Sequence, residues 1–78
     1  MVSKLKIYIA SIVDQNECDN AFAQMYIERA PLKTVNHQLY GKIENAVEDF
    51  LEDNELDGEW LDDNVGNIED VFCCLFDE

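Results

Sequence analysis

The sequence predicts a small single domain of the α+β class, in which a short antiparallel sheet packs against two or three helices. Three observations support this fold: a run of alternating apolar residues near the start, a long amphipathic segment in the middle, and a length of only 78 residues. A chain this short buries about 60–65% of the surface that it exposes when unfolded, which allows one modest core. Residues 1–78 are therefore expected to form one acidic domain.

The first predicted element is a strand over residues 4–12. Leu5, Ile7 and Ile9 alternate with polar or aromatic residues, and β-branched residues are frequent, as in a half-buried strand. A single strand cannot satisfy its own backbone groups. Residues 59–62, after the turn at Asp57 and Gly58, are therefore predicted to form the partner strand.

The first predicted helix covers residues 16–29. Asp14 and Glu17 have the spacing of a helix capping box, and Pro31 stops the pattern. The same segment also permits a strand at 20–28 that closes a hairpin with the first strand.

The clearest predicted helix covers residues 37–53, with Asn36 as its cap. Apolar residues recur at steps of three and four along one face: Leu39, Tyr40, Ile43, Ala46, Val47, Phe50 and Leu51. The other face ends in acids, which oppose the helix dipole and cost about 0.3–1 kcal/mol each. We therefore expect function, not stability, to retain these acids.

The last predicted element is a helix over residues 68–77. Val71, Phe72 and Leu75 belong to an apolar stripe, and Glu69 lies in the favourable first turn. The run from Val71 to Phe76 also suits a buried strand.

The charge of the chain lies almost entirely in its second half. Residues 1–42 contain five Lys and Arg against four Asp and Glu, a net charge of +1, whereas residues 43–78 contain fourteen Asp and Glu and no Lys or Arg, a net charge of −14. Nucleic-acid binding depends on Lys and Arg, so this distribution argues against nucleic acid as a partner, and none is expected. The distribution predicts a basic protein as the partner.

Enzymatic chemistry and bound cofactors are not expected. The one histidine, His37, falls in the first turn of a predicted surface helix, without a nucleophile and an orienting group around it. Three cysteines without a Cys-x-x-Cys pair are a poor zinc set, and Cys73 and Cys74 are expected in the core. An odd cysteine count indicates a reducing cytoplasm.

Residues 53–64 resemble an EF-hand loop in part. Acids at loop positions 1, 3 and 5 precede Gly58 at position 6, but position 12 is Asn64 and cannot supply the bidentate carboxylate. Weak calcium binding is therefore the least favoured functional hypothesis. The chain has neither a signal-peptide pattern nor an apolar run of the length that a membrane span needs, so no membrane association is expected.

The acidity of the second half exceeds what solubility requires, for which a net charge of about 2–8 is enough in a small domain. Duplex DNA carries about one charge per 1.7 Å, so fourteen carboxylates match about 24 Å of duplex. A folded domain with this surface can occupy a DNA-binding groove and inhibit by occupancy. The residues predicted to bind the partner are Glu44, Glu48, Asp49, Glu52, Asp53, Glu55, Asp57, Glu59, Asp62 and Asp63.

Two segments carry a family resemblance. Lys6 to Ile12, followed by Asp14-Gln15-Asn16, and Asp57 to Asp62, followed by Asn67 to Val71, together resemble the N-terminal domain of the ArdA-type antirestriction proteins. The resemblance implies a small α+β domain that mimics DNA and blocks type I restriction–modification enzymes on behalf of phage or mobile elements. More broadly, the acidity is typical of anti-defence inhibitors, including anti-CRISPR proteins.

A second class of function is an immunity protein or antitoxin that neutralises one basic toxin enzyme. Trp60 is either a core anchor or an interfacial aromatic. Surplus apolar residues such as Phe72 and Phe76 also suggest a homodimer.

Overall fold

The computed structural model describes residues 1–76, and helices account for 79% of them while none forms a strand. The predicted α+β class is therefore wrong, because this part of the chain is all-helical. The helices are α1 Val2–Ile12, α2 Gln15–Glu28, α3 Leu32–Val35, α4 His37–Asp53, α5 Gly58–Asn64 and α6 Ile68–Cys74.

The segment predicted as the first strand is helix α1. Leu5 and Ile9 are 1% and 0% exposed, whereas Ile7 between them is 70% exposed. Residues four apart share a face in a helix and in a strand, but residues two apart share a face only in a strand. The exposure of Ile7 is therefore what distinguishes the observed helix from the predicted strand.

The segment predicted as the partner strand lies within α5. Asp57 is the N-cap of α5, and its side chain accepts a hydrogen bond from the backbone N–H of Trp60 at 3.0 Å. The supposed turn at Asp57 and Gly58 is therefore a helix start. Because both predicted strands are helices, the proposed sheet has no basis in residues 1–76.

The three segments that were predicted as helices are helical in the structure. The helix predicted at 16–29 is α2, so the alternative strand at 20–28 is wrong, and the helix predicted at 37–53 is α4. The Asn36 side chain caps α4 by accepting from the backbone N–H of Leu39 at 3.0 Å. Helix α6 excludes the buried strand, but it ends at Cys74, so residues 75 and 76 of the helix predicted at 68–77 are not helical. Residue 77 lies outside the described residues.

Helix α4 is the centre of the core. Helices α1, α3 and α6 pack against it, and α2 packs against α3. Its buried face consists of Leu39, Ile43, Ala46, Val47, Phe50 and Leu51. No polar or charged side chain is buried among the described residues, so burial of apolar surface holds the domain together. The domain measures 37 × 24 × 21 Å.

Candidate functional site

The exposed side of α4 carries two neighbouring stripes of acids. Glu44, Glu48 and Glu52 follow each other at four-residue steps, and Asp49 and Asp53 form a second stripe beside them. Glu44 is half-buried at the start of its stripe, whereas the other four are exposed. The core face of α4 therefore fixes the direction in which these carboxylates point.

The charge density on α4 is close to that of one DNA strand. Glu44 and Asp53 are nine residues apart, which is about 14 Å of helix axis, so five carboxylates give about one charge per 3 Å. A single strand of B-DNA carries one phosphate per about 3.4 Å of axis. Helix α4 thus matches a strand in linear charge density over about four phosphates.

The acids continue beyond the end of α4. Glu55 lies in the left-handed region at φ 56°, in the turn between α4 and α5. Buried Leu61 and half-buried Trp60 hold α5 against the core, which leaves its acids exposed. All ten predicted residues except Glu44 are exposed. Together we call them the acidic surface: Glu44, Glu48, Asp49, Glu52, Asp53, Glu55, Asp57, Glu59, Asp62 and Asp63.

Few cations are placed to neutralise the acidic surface. Lys42 is the last Lys or Arg in the chain, and its Nζ lies 3.7 Å from Glu17 Oε1 in α2, too far for a hydrogen bond but close enough for an ion pair. Lys33 in α3 lies over the Tyr40 ring, 5.8 Å from its centroid. Lys4 in α1 lines the same groove as Asp53. Few of the acids of α4 and α5 therefore have a Lys or Arg beside them to neutralise their negative charge.

Two further acids of the second half, Glu69 and Asp70, do not belong to the acidic surface and form hydrogen bonds that stabilise the fold. The Glu69 carboxylate accepts hydrogen bonds from the backbone N–H groups of Leu32 at 2.7 Å and Lys33 at 3.1 Å. Asp70 and Asn67 form a reciprocal capping box at the start of α6. Asp57 has both functions, because it caps α5 while remaining exposed. The sequence does not reveal the long-range bond of Glu69, because its partners lie in a distant helix.

The aromatic residues contribute mainly to the core. Trp60 is half-buried and packs against the core cluster, which favours the core-anchor reading. Phe72 is fully buried, with its ring 5.2 Å from that of Phe76 and 6.4 Å from that of Phe22. Phe72 is therefore not available for the dimer contact that the sequence suggested.

The supposed calcium loop does not have the geometry of an EF-hand loop. Within residues 1–76, no group of three or more His, Cys, Asp or Glu side chains is arranged to hold a metal ion. The second half of the supposed calcium loop, from Gly58 to Asn64, is helix α5, so it does not fold back around a cation. His37 is exposed at the start of α4.

The cysteines differ from the prediction in part. Cys18 is buried, but Cys73 is exposed and Cys74 half-buried, so the expected burial of the adjacent pair is wrong for Cys73. Burial raises the pKa of the Cys18 thiol, and the neighbouring acids Glu17, Asp19 and Asp14 raise the pKa further.

The exposure of the three most exposed large apolar residues, Ile7, Tyr26 and Ile27, was missed by the sequence reasoning. Ile7 on α1 was assigned to the buried face of a strand, while Tyr26 and Ile27 near the end of α2 are 84% and 73% exposed. A helical interpretation of residues 2–12 places Ile7 opposite Leu5 and Ile9 and reveals its exposure.

None of the described helices has the length and apolar character that a membrane crossing requires. Comparison of the chain with protein-family models, with curated proteins and with solved structures finds no match. The two segments that resemble antirestriction proteins lie largely in α1 and α5, so the strands that the resemblance implies are absent from residues 1–76. The functional argument therefore rests on the surface itself.

Proposed function

We propose that this protein inhibits a nucleic-acid-binding protein of bacterial defence, a restriction enzyme or a CRISPR effector, by placing its acidic surface in the basic groove of that protein. The observation that carries this proposal is the set of nine exposed carboxylates between Glu48 and Asp63, a segment without Lys or Arg. The protein is the ligand in this proposal and performs no catalysis.

The physical basis is the way in which basic grooves bind nucleic acid. The Lys and Arg side chains of such a groove replace the counterions condensed on the nucleic acid, and release of these counterions supplies affinity. The positive electrostatic field of the groove also attracts its ligand over a long range. Helix α4 supplies about the same charge per length as one DNA strand, on a rigid support. An acidic surface held by a packed helix can therefore compete with nucleic acid for the groove.

The energetic cost of the acids supports a binding role. Asp49, Glu52 and Asp53 lie near the C-terminal end of α4, where no basic residue offsets the helix dipole. Each carboxylate there is expected to cost about 0.3–1 kcal/mol of stability. The net charge of −13 adds self-repulsion. A basic partner would remove both penalties on binding.

A second candidate function is neutralisation of one basic toxin enzyme. Tyr26 and Ile27 favour it, because large exposed apolar and aromatic side chains are typical anchors of dedicated protein–protein interfaces. The two functions differ in whether nucleic acid competes for the partner. A toxin bound outside its nucleic-acid site is not displaced by DNA.

The experiment is a pull-down from bacterial lysate with the tagged protein at low and raised salt, with and without competing duplex DNA. The test variant is Glu48→Lys with Glu52→Lys, which reverses two acids of the acidic surface. The matched control is Asp19→Lys with Glu28→Lys, which makes the same charge change at exposed acids of α2.

We expect wild type and the α2 variant to capture a DNA-binding defence complex that duplex DNA displaces. The α4 variant should bind it at least about tenfold more weakly at low salt. Equal weakening by both variants would show that net charge alone matters and would refute the role of the acidic surface. A partner that resists DNA would instead support the toxin-neutralising function.

A further inference from the structure

The solvent-facing side of α1 differs in character from the rest of the protein. Ile7 lies at its centre and is 70% exposed, and three of its four neighbours one turn away are small and exposed, namely Ser3, Ala10 and Ser11. The fourth is Lys4, which is also exposed. Helix α1 contains two lysines and no acid, in a chain whose net charge is −13. This side of α1, the α1 face, is therefore the place where an acidic molecule meets the least repulsion.

Ile7 forms a ridge between two grooves. The first groove has a volume of about 210 Å³ and apolar walls that include Ala10, Val13, Leu75 and Phe76. The second groove separates α1 from the C-terminal end of α4, with Tyr8 and Phe50 among its walls. A cavity of about 150 Å³ already holds a benzene molecule, so the first groove has room for an isoleucine side chain.

Opposite charges lie on the second groove. Lys4 belongs to α1 and Asp53 to the end of α4, and both side chains are exposed. Within the described part of the chain their charged groups do not come within ion-pair distance of each other. Both groups can therefore pair with charges of an incoming molecule.

We propose that a second copy of this chain docks on the α1 face to form a two-fold symmetric dimer. Ile7 of each copy packs into the first groove of the other, and Lys4 of each copy pairs with the partner's Asp53. A two-fold interface requires a surface that complements itself. A ridge beside a groove, together with a cation beside an anion, meets this requirement. The inference does not depend on the proposed inhibitory function.

The dimer should be weak and salt-dependent. Helix α1 has 11 residues and is about 16 Å long, so the contact lies at the small end of specific interfaces, below about 1,200 Å² in total. Two copies with a net charge of −13 repel each other over long range, and added salt screens this repulsion. Dimerisation should therefore become stronger up to about 0.1 M NaCl, where charges more than about 10 Å apart are screened while the Lys4–Asp53 pairs in contact are screened less.

The first test is sedimentation equilibrium of the full chain from about 20 μM to about 1 mM, where weak interfaces become populated. Ile7→Ser should abolish the dimer. Ile27→Ser is the matched control, because Ile27 on α2 is equally exposed at 73% but lies outside the α1 face. A wild type that stays monomeric at the highest concentration and salt would overturn the proposal, as would equal loss in both variants.

The second test exchanges the charges. Lys4→Asp and Asp53→Lys each place like charges together in a homodimer, so each variant alone should be monomeric. Mixed together, they should form a heterodimer, because the new Asp at position 4 faces the new Lys at position 53 and the native pair also forms. A change confined to one folded chain cannot produce recovery on mixing. If mixing restores no dimer, the predicted pairing of Lys4 with Asp53 is refuted. If Asp53→Lys does not fold, the Ile7→Ser and Lys4→Asp variants still test the dimer, because each should be monomeric.

Discussion

Glu69 in α6 holds the start of α3 through the backbone of Leu32. Its Oε1 accepts from the Leu32 N–H at 2.7 Å, and its Oε2 accepts from the Lys33 N–H at 3.1 Å. Pro31, the N-cap of α3, has no side-chain cap hydrogen bond, so Glu69 supplies from a distant helix the cap that local sequence does not. This contact joins the first half of the chain to the last helix.

Removal of this cap should destabilise the fold. We expect Glu69→Ala to lower the free energy of unfolding by about 1.5–3 kcal/mol, because it leaves two backbone N–H groups without their charged acceptor. Glu69→Gln keeps one acceptor oxygen and should lose less. Urea unfolding followed by circular dichroism measures both, with Asp62→Ala as an exposed acid control. If Glu69→Ala and Asp62→Ala behave alike, the cap contributes nothing to stability.

The dipole of α4 predicts two stabilising substitutions with opposite charge changes. Glu52→Gln removes an acid from the last turn, and Gln38→Glu adds one to the first turn. Each should raise the free energy of unfolding by about 0.3–1 kcal/mol at low ionic strength, less in 1 M NaCl. Thermal unfolding of the two variants measures this. Destabilisation by Gln38→Glu would show that self-repulsion of the net charge outweighs the dipole.

Gly66 and Asp70 are predicted to be coupled. Gly66 has φ 128°, and a Cβ added there would overlap the Asp70 carboxylate that completes the capping box. Gly66→Ala should therefore lower the free energy of unfolding by about 1–3 kcal/mol through backbone strain alone, and the overlap with Asp70 should lower it further. In the Asp70→Ala background the cost should be smaller but not zero. Urea titrations of the four proteins form a double-mutant cycle, and a coupling energy of zero would contradict the overlap.

The difference between the predicted sheet and the observed helices has a specific physical cause. Leu5 and Ile9 fit a strand face and a helix face equally well, and the β-branched residues of this segment favoured the strand. Packing against α4 decides for the helix, because it leaves Ile7 exposed while Leu5 and Ile9 are buried, and α4 lies far along the chain. Helix α4 itself was predictable, because its apolar period extends over 17 residues and Asn36 marks its start.

The candidate site was predictable in composition but not in detail. Carboxylates are almost always exposed, so the ten acids could be assigned to a surface from residue type alone. Helical periodicity then placed the acids of α4 opposite its core face. The separate roles of Glu69 and Asp70 depend on contacts with Leu32 and on the geometry around Gly66. Such contacts arise only from packing of the whole chain.

The buried thiol of Cys18 should make stability fall at alkaline pH. Burial raises the pKa of Cys18 above its ordinary value of about 8.5, so the folded state keeps a proton that the unfolded state releases. The contribution to stability is therefore complete below the unfolded pKa and is lost as pH rises toward the folded pKa. Urea unfolding of wild type and Cys18→Ala at pH 7.0 and about pH 9.5 should show a larger alkaline loss for wild type.

The same burial predicts the order of thiol reactivity. Iodoacetamide attacks the thiolate, and the Cys18 thiol is both buried and held protonated, whereas Cys73 is exposed. At pH 8 we expect alkylation of Cys73 to be at least about tenfold faster than that of Cys18, as measured by mass spectrometry of the digested protein. In urea the two rates should converge, because unfolding removes the burial. Equal rates in the folded protein would show that Cys18 is reached without unfolding and would remove the basis of the predicted alkaline loss.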